Sequence, residues 1–456
     1  MTRSAGTGRP LAVLSPTAIL GYGFPLASFE RGLARRPDVI AVDAGSTDPG
    51  PFYLGAGKSF TSRSAVKRDL DLMLQAARRL GIPLLVGSAG GAGAAPHLEW
   101  TRSIVEEIAR ERSLRFRMAV VPADVPKPVV RAALRAGRVE PMPCAPPLTE
   151  PDLEATTHLV AQMGPEPLVA ALDAGAEVVL CGRAYDPAPF AAPALRAGFD
   201  PGLALHMGKI LECAAIAATP GSGSDCVLAT LSADAFELEA LSDERRFTTV
   251  SAAAHSLYEK SDPYALPGPG GTLDLTATTY RDAGQGRVRV SGTRLVPTPY
   301  AVKLEGARRI GHRTISIAGI RDPILIRQID ATLATVRDRV REGTGTDASI
   351  LFHVYGRDGV MGALEPRRDR PSHELGLVIE VVHADAAEAD GVCSLVRSTL
   401  LHFGYPGRIS TAGNLALLYS PSDVSCGEVY QFSVYHLLRV EDPCALFPVH
   451  LVEVGP

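Results

Sequence analysis

The chain has 456 residues, of which 46% are hydrophobic and 21% charged, and its formal net charge is -4. This length and composition predict a soluble globular protein with a large core and two or three domains. The small negative charge gives no field that would attract nucleic acid or an anionic membrane, and no apolar run approaches the ~20 residues of a membrane-spanning helix. Nucleic-acid and membrane partners are therefore excluded.

The N-terminus and the cysteines indicate the compartment. Residues 1–10 are predicted to be a disordered tail before the first strand, because Pro16 and the following glycines interrupt the apolar run that a secretory signal would need. The seven cysteines are scattered, odd in number and never arranged as CxxC. That pattern is typical of a reducing cytoplasm and argues against a disulfide framework or a zinc ribbon.

Residues 11–220 alternate apolar strands with amphipathic helices. The strand segments are LAVLSP, VIAVDAG, PLLVGSAG, FRMAVVPADV and EVVLCGRAYDP. Short, continuously apolar runs are typical of strands that are covered on both faces. A helix such as residues 62–81, with Ser62 or Ser64 as N-cap and Gly81 as C-cap, fits between them. The fold class is therefore α/β, with an open, doubly wound, Rossmann-like parallel sheet and helices on both faces.

Each of these strands ends in a polar or glycine-rich loop. Because ligands bind beyond the carboxyl ends of parallel strands, the loops define a candidate site at one edge of the sheet. One guanidinium beside carboxylates and hydroxyls suits recognition of a carboxylate or phosphate, together with proton transfer. The alternative is that the loops are only tight turns. The predicted substrate-binding residues are Arg183, Ser46, Thr47, Lys58, Ser88, Gly90, Gly91 and Tyr185, and the same edge receives Ser15 and Asp124.

The predicted catalytic residues are His206, Lys209, Asp186 and Asp43. His206 and Lys209 fall on one face of the helix in LHMGKILEC, where polar groups are costly to bury without a role. In this hypothesis Arg183 grips a substrate carboxylate, and His206 or Lys209 exchanges a proton while Asp186 orients it. In the alternative, His206 caps the helix start and Lys209 is solvated or ion-paired. The sequence lacks a G-x-G-x-x-G loop, so dinucleotide binding is disfavoured.

A glycine- and serine-rich run near residue 220 predicts a boundary, followed by an α+β domain over residues 221–456 with a mainly antiparallel sheet and a sub-boundary near 321. DAGQG is predicted to be a hairpin turn. Residues 264–271 are predicted to be a Pro- and Gly-rich loop. The loop is either a plain connection between elements or part of a site. In the second case it brings six residues to that site: His255, Tyr258, Glu259, Lys260, Asp262 and Tyr264. YAVKLEGARRIGHRTISIAGI is predicted as strand, turn, strand, with half-exposed charges that include Lys303, Glu305, Arg308 and Arg313.

The last third is predicted to contain a helix over DPILIRQIDATLATVRDRVREG, two strands, a second helix and a final strand, YQFSVYHLLRV. The polar segment RDGVMGALEPRRDRPSHELG is predicted to be a mobile loop or a subunit contact. Large α/β enzymes are commonly symmetric oligomers, so a homo-oligomer is expected, with YQFSVYHLL as an interface element.

Several long motifs resemble the acyclic terpene utilisation (AtuA-type) family. They include VDAGSTDPGPFYLGAGKSFTSR, LLVGSAGGAGAAPHLEWT, CGRAYDPAPFAA, LHMGKILECAA, HSLYEKSDPY and VKLEGA. The resemblance runs from about Leu11 to the C-terminus. It implies a role in degrading acyclic terpenes through acyl-CoA intermediates. Some family members carry, or are encoded beside, a small ferredoxin-like companion domain. The C-terminal segment matches that domain faintly, which leaves a separate companion subunit open as a partner.

Three candidate functions are compatible with the sequence. The first is a lyase or hydratase acting on a small carboxylic acid or its CoA thioester, because acids, hydroxyls and an arginine occur without a redox cofactor motif. The second is a non-catalytic ligand-binding or scaffold subunit that works with a small partner protein. The third is a hydrolase, which the absence of a G-x-S-x-G or HExxH motif disfavours. No cofactor is evident, and a divalent metal held by Asp43, Asp186 or His206 has no spacing signature.

Overall fold

The structure is a computed structural model that describes residues 9–258, 261–409 and 411–455. These residues form two compact units: one contains the residues up to Arg308 and those from Phe432 onward, and the other is Arg309–Gln431. Residues 1–8 of the expected disordered tail, and Glu259 and Lys260 of the expected site loop, lie outside the described residues.

The first unit holds most of the helices and strands. Its strands are β1 (Leu11–Ser15), β2 (Val39–Asp43), β3 (Leu84–Gly87), β4 (Phe116–Val121), β5 (Val139–Pro141), β6 (His158–Ala161), β7 (Val178–Cys181), β8 (Val227–Leu231), β9 (Ala235–Ala240), β10 (Ala265–Gly268), β11 (Gly271–Asp274), β12 (Thr279–Gly284), β13 (Arg287–Ser291), β14 (Arg294–Pro297) and β20 (His450–Val454). Its helices are α1 (Leu26–Ala34), α2 (Pro51–Ala56), α3 (Arg63–Leu80), α4 (Ala95–Arg112), α5 (Lys127–Arg135), α6 (Glu150–Ala155), α7 (Glu166–Asp173), α8 (Ala188–Arg196), α9 (Pro201–Leu211) and α10 (Thr249–Leu257). The chain leaves this unit within β15 (Ala301–Ile320) and returns within β19 (Asp423–Arg439).

The five predicted apolar runs form parallel strands, as expected. They are β1, β2, β3, β7 and β4, in that spatial order, at the centre of a sheet whose full order is β12-β13-β9-β8-β1-β2-β3-β7-β4-β20. Antiparallel strands flank them, with β8 beside β1 and β20 beside β4. The protein is therefore a mixed α/β protein with parallel strands near its N-terminus and antiparallel pairing later.

Alternate residues of the parallel strands feed two separate cores, as the two-residue period of a strand requires. Val39 and Ala41 belong to one core, which the buried faces of α8 and α9 complete. Ile40 and Val42 belong to the other, which α3 and α4 complete. The strands are thus covered on both faces, which explains their continuous hydrophobicity. The N-cap of α3 is Ser62, whose hydroxyl accepts from the Ala65 N–H.

After residue 220, β8, β9, β12 and β13 extend the same sheet, while β10, β11 and β14 form a separate small sheet. β8 and β9 form an antiparallel hairpin, and β12 and β13 form another across the predicted DAGQG turn, where Gln285 and Gly286 have φ of 54° and 70°. Residues 264–271 were expected to be a loop, but β10 and β11 pair there as a hairpin. Gly270, at φ 74°, allows the tight turn that joins them. The boundary near 220 stays a prediction about independent folding.

β15 corrects the predicted strand–turn–strand, because it is one continuous strand. At Gly306, close packing by neighbouring atoms rather than a turn accounts for the glycine. A Cβ at Gly306 would lie 2.9 Å from Thr156 Cγ2 and 3.0 Å from Val434 Cβ, so only glycine fits between them. In the first unit, β15 pairs antiparallel with β6, which places Glu305 opposite Val160.

The second unit packs helices on an antiparallel sheet. Its elements besides β15 and β19 are α11 (Pro323–Arg327), α12 (Ile329–Thr344), β16 (Ser349–Tyr355), β17 (Leu375–His383), α13 (Ala386–His402) and β18 (Ala416–Leu417). β17 pairs with both β16 and β15. The single helix expected over residues 322–343 is two helices, because Gln328 leaves the helical conformation at φ -105° and ψ 9°. Among the described helices, none is both long and apolar enough to cross a bilayer.

Candidate active site

The candidate active site lies where three parallel strands end. β2 ends at Asp43, β3 ends just before Ser88, and β7 ends two residues before Arg183. Since the strands are parallel and adjacent in the order β2-β3-β7, these three residues emerge at one edge of the sheet. The backbone of Ser88 has a φ of 46°, a left-handed conformation that residues other than glycine seldom adopt.

Arg183 is the centre of a buried charge network. Only 2% of its side chain is exposed, and Nε donates to Glu305 Oε2 at 2.7 Å. Nη1 donates to three acceptors: Ser88 Oγ at 3.0 Å, Asp186 Oδ1 at 2.9 Å and the Ala184 carbonyl at 2.7 Å. Burial lowers the pKa of Arg183, but Glu305 and Asp186 outweigh it and raise that pKa above its ordinary value. The guanidinium therefore holds two carboxylates and the β3 loop together.

Glu305 is the second member of the buried charge network. Its Oε1 accepts from Thr47 Oγ1 at 3.0 Å and pairs with Lys303 Nζ at 2.7 Å. Lys303 Nζ also lies 5.1 Å from the ring centroid of Tyr435, within reach of a cation–π contact. Burial raises the pKa of Glu305, but Arg183 and Lys303 together lower it to about 2. Glu305 is therefore ionised, and its negative charge is balanced by the cations of Arg183 and Lys303.

The pKa of Asp43 is shifted in the opposite direction to that of Glu305. Asp43 is 4% exposed, and its Oδ1 has no hydrogen-bond partner among the described residues. Burial raises its pKa well above the ordinary value, and the charges of Asp186 and Glu212 raise it further, against the opposing effect of Arg183. Asp186 is the more accessible carboxylate, with 27% of its side chain exposed. The edge of the sheet thus holds a buried carboxyl with a raised pKa beside one that reaches solvent.

Lys209 and Glu212 form a second buried pair at the end of α9. Lys209 Nζ lies 2.5 Å from Glu212 Oε1, and the Cys213 thiol donates to Oε2 at 3.0 Å. Burial and the charge of Asp186 raise the pKa of Glu212, while Lys209 opposes them. In the described part of the chain, the donor atoms near enough to share a metal ion belong to Glu212, Cys213 and His255. The metal ligands considered from the sequence are not gathered in this way.

Among the described residues, His206 hydrogen-bonds to Thr293 and Ser256 rather than to Arg183 or Asp186. It is fully buried, with Nδ1 2.7 Å from Thr293 Oγ1 and Nε2 2.8 Å from Ser256 Oγ. Burial, together with the charges of His255 and Lys209, lowers its pKa to about 3. A neutral imidazole that joins two hydroxyls is a stabilising arrangement.

We expect His206→Ala to lower the free energy of unfolding by about 2–4 kcal/mol, because it opens a cavity and removes one hydrogen bond from each of two hydroxyls, those of Thr293 and Ser256. Urea denaturation measures this change. His450→Ala is the matched control, since His450 is exposed and its loss should cost no more than about 0.5 kcal/mol. Equal stability of the two variants would contradict a structural role for His206.

The glycines expected to bind substrate, Gly90 and Gly91, are closely surrounded by protein atoms, and their binding role stays a prediction. A Cβ at Gly90 would lie 2.8 Å from His97 Cβ, and a Cβ at Gly91 would lie 2.6 Å from Phe60 Cε1. Both also have positive φ, 64° and 97°. Their small size and conformation are therefore accounted for by packing of the loop against α4 and Phe60.

The remaining predicted residues are dispersed. Lys58 is exposed, and Ser46 Oγ accepts from the Asp48 N–H at 3.1 Å. The Tyr185 ring lies against Gly268, where a Cβ would approach its Cζ to 2.9 Å. Binding roles for Ser46, Lys58 and Tyr185 stay predictions.

Ser15 and Asp124 are two further residues that were predicted to lie at this edge of the sheet. Ser15 Oγ donates to the Leu211 carbonyl at 2.7 Å. Burial raises the pKa of Asp124, whose Oδ2 has no partner within the described ranges. Within the described residues, neither side chain hydrogen-bonds to the buried charge network, which leaves Arg183, Asp186 and Ser88 as the predicted residues that meet directly.

Glu305 and Lys303 were not predicted as site residues, yet both belong to the buried charge network. Both were expected to be half-exposed, but Glu305 is 0% exposed. In β15 they alternate with Val302 and Leu304, the pattern of a strand with one polar, solvated face. The available signal was the spacing itself, since residues two apart share a face and can bind one partner.

The fold and site define a mixed α/β protein with a buried charge network at the carboxyl ends of parallel strands. The model of the acyclic terpene utilisation family protein AtuA matches residues 62–226 and 243–416. This match covers more than half of the chain, so the protein belongs to the acyclic terpene utilisation (AtuA) family, as its motifs indicated. No curated protein and no solved structure matches the chain.

Proposed function

We propose that the protein is a lyase or hydratase that performs acid–base chemistry on a small carboxylic acid or its CoA thioester. The observation that carries the proposal is Asp43: a buried carboxyl with a raised pKa and an unpartnered oxygen, at the carboxyl end of a parallel strand. A carboxyl whose pKa is shifted toward neutrality is suited to taking up and returning a proton.

In this proposal, ionised Asp43 removes the proton next to the substrate carbonyl. The hydroxyl on the following carbon takes up a proton from solvent and leaves as water, and Asp43 later returns its proton to solvent. Addition of water across the resulting double bond is the reverse reaction. Asp186 exchanges the proton with solvent, which its partial exposure supports. Arg183 fixes Asp186 through Nη1 and so acts as a positioning residue. Its hydrogen bonds to protein groups favour this role over gripping a substrate carboxylate.

The proposal is tested by proton exchange in deuterium oxide. The protein is incubated with short hydroxy acids, unsaturated acids and their CoA thioesters, and deuterium at the carbon next to the carbonyl is followed by NMR. We expect protein-dependent incorporation into one of these classes. Saturable binding without exchange or turnover would favour the alternative, a ligand-binding or scaffold subunit that serves a small companion protein.

Two finer inferences accompany this function. We infer that β1, β2, β3, β7 and β4 form an open, doubly wound, Rossmann-like sheet, which the two cores on opposite faces support. We also infer that the protein acts in the cytoplasm. The seven cysteines support this location, because none of them forms a disulfide within the described residues.

A further inference from the structure

Three donor groups of different chemistry converge at the junction of α9 and α10. Glu212 follows the last residue of α9, Cys213 comes next, and His255 lies in α10. One oxygen, the sulfur and one ring nitrogen of these side chains all lie within 4.8 Å of one another. Ligands around one tetrahedral ion are about 3.3–3.7 Å apart, given metal–ligand distances of about 2.0–2.3 Å. Small side-chain adjustments would therefore bring all three donors onto a single ion.

We propose that Glu212, Cys213 and His255 bind one Zn²⁺ ion, an assignment that does not depend on the acid–base proposal. Carboxylate, thiolate and imidazole are the ligand types that zinc accepts, whereas Ca²⁺ and Mg²⁺ prefer oxygen alone. Three protein ligands leave a fourth position for water or a substrate oxygen, as in catalytic zinc sites.

The hydrogen bonds of Glu212 show how an ion would enter. Oε2 accepts from the Cys213 thiol at 3.0 Å, so the thiol proton lies between two of the proposed ligands. Binding replaces this proton by the metal, and the proton leaves to solvent. Oε1 keeps its contact with Lys209 Nζ, which orients the carboxylate as outer partners of metal ligands commonly do.

The surroundings favour a specific site over an exposed cluster of acids. Glu212 and His255 are 8% and 6% exposed, while Cys213 is partly exposed and gives the ion a path of entry. The ammonium of Lys209 opposes a nearby cation. The carboxylate of Asp186, which interacts electrostatically with Glu212, offsets that repulsion.

Cobalt titration of the metal-stripped full-length protein tests the site, because Co²⁺ reports its ligands spectroscopically. We expect one equivalent of Co²⁺ to give a thiolate-to-cobalt charge-transfer band in the near ultraviolet, and Zn²⁺ to displace it. Cys213→Ser should abolish the band, and Cys444→Ser, at another partly exposed cysteine, should retain it. Glu212→Gln and His255→Gln should weaken Co²⁺ binding more than the ~10–100-fold lost when an outer partner of a ligand is removed.

The titration of the wild-type protein tests the site by itself, so its result does not depend on whether a variant folds. Absence of the band at one equivalent of Co²⁺, or its persistence in folded Cys213→Ser protein, would overturn the site. No substrate is used, so either result leaves the acid–base proposal to its own test.

Discussion

Replacing Arg183 by methionine is expected to lower the free energy of unfolding by about 3–5 kcal/mol, because the network then keeps the carboxylates of Glu305 and Asp186 but only the cation of Lys303. Glu305, at 0% exposure, loses its Nε donor, and Asp186 loses the bond from Nη1. Methionine fills much of the same volume, so the loss reports electrostatics more than packing. Urea denaturation of wild-type and variant protein measures the difference.

Arg196→Met is the matched control. Arg196 pairs with Asp173, but both side chains are about half exposed, at 47% and 62%, so the change should cost no more than about 0.5 kcal/mol. Adding Glu305→Gln to Arg183→Met should recover part of the lost stability, because the uncompensated charge is then removed. Equal effects of the two arginine substitutions would show that the buried charge network does not stabilise the fold.

Asp43→Asn is expected to lower turnover by about 10²–10⁴-fold on the substrate that the exchange experiment identifies, because asparagine cannot accept the proton. The same variant should be as stable as the wild type near neutral pH, or more stable. The pKa of Asp43 is raised in the folded protein, so the folded state retains this proton to higher pH than the unfolded state. Wild-type stability therefore falls as pH rises from the ordinary pKa of an aspartate to the raised value, and Asp43→Asn removes that dependence.

Measured turnover and denaturation curves between about pH 4 and pH 8, a window that starts at the ordinary pKa of an aspartate, check both parts of this prediction. Asp48→Asn is the control, since Asp48 is exposed in the same loop and should change neither quantity. A loss of stability with turnover intact would instead assign Asp43 a purely structural role.

The sequence predicted the central parallel strands and the edge where the charged residues meet. Parallel strands buried on both faces must be apolar throughout, so β2, β3 and β7 are visible as local patterns. The polar residues that follow them, Ser88, Arg183 and Asp186, must then lie at the carboxyl edge. The direct contacts among these three residues agree with that expectation.

Only the tertiary structure decided which of these groups pair and which are neutralised. Nothing local to β7 specifies that it lies between β3 and β4, and this order brings Arg183 against Ser88. The alternation along β15 predicted half-exposed charges, yet Glu305 and Leu304 are both 0% exposed because this part of the strand is covered on both faces. Periodicity records which side chains share a face of one element. The burial of a charge, its partner and its pKa depend on what packs against that face from distant parts of the chain.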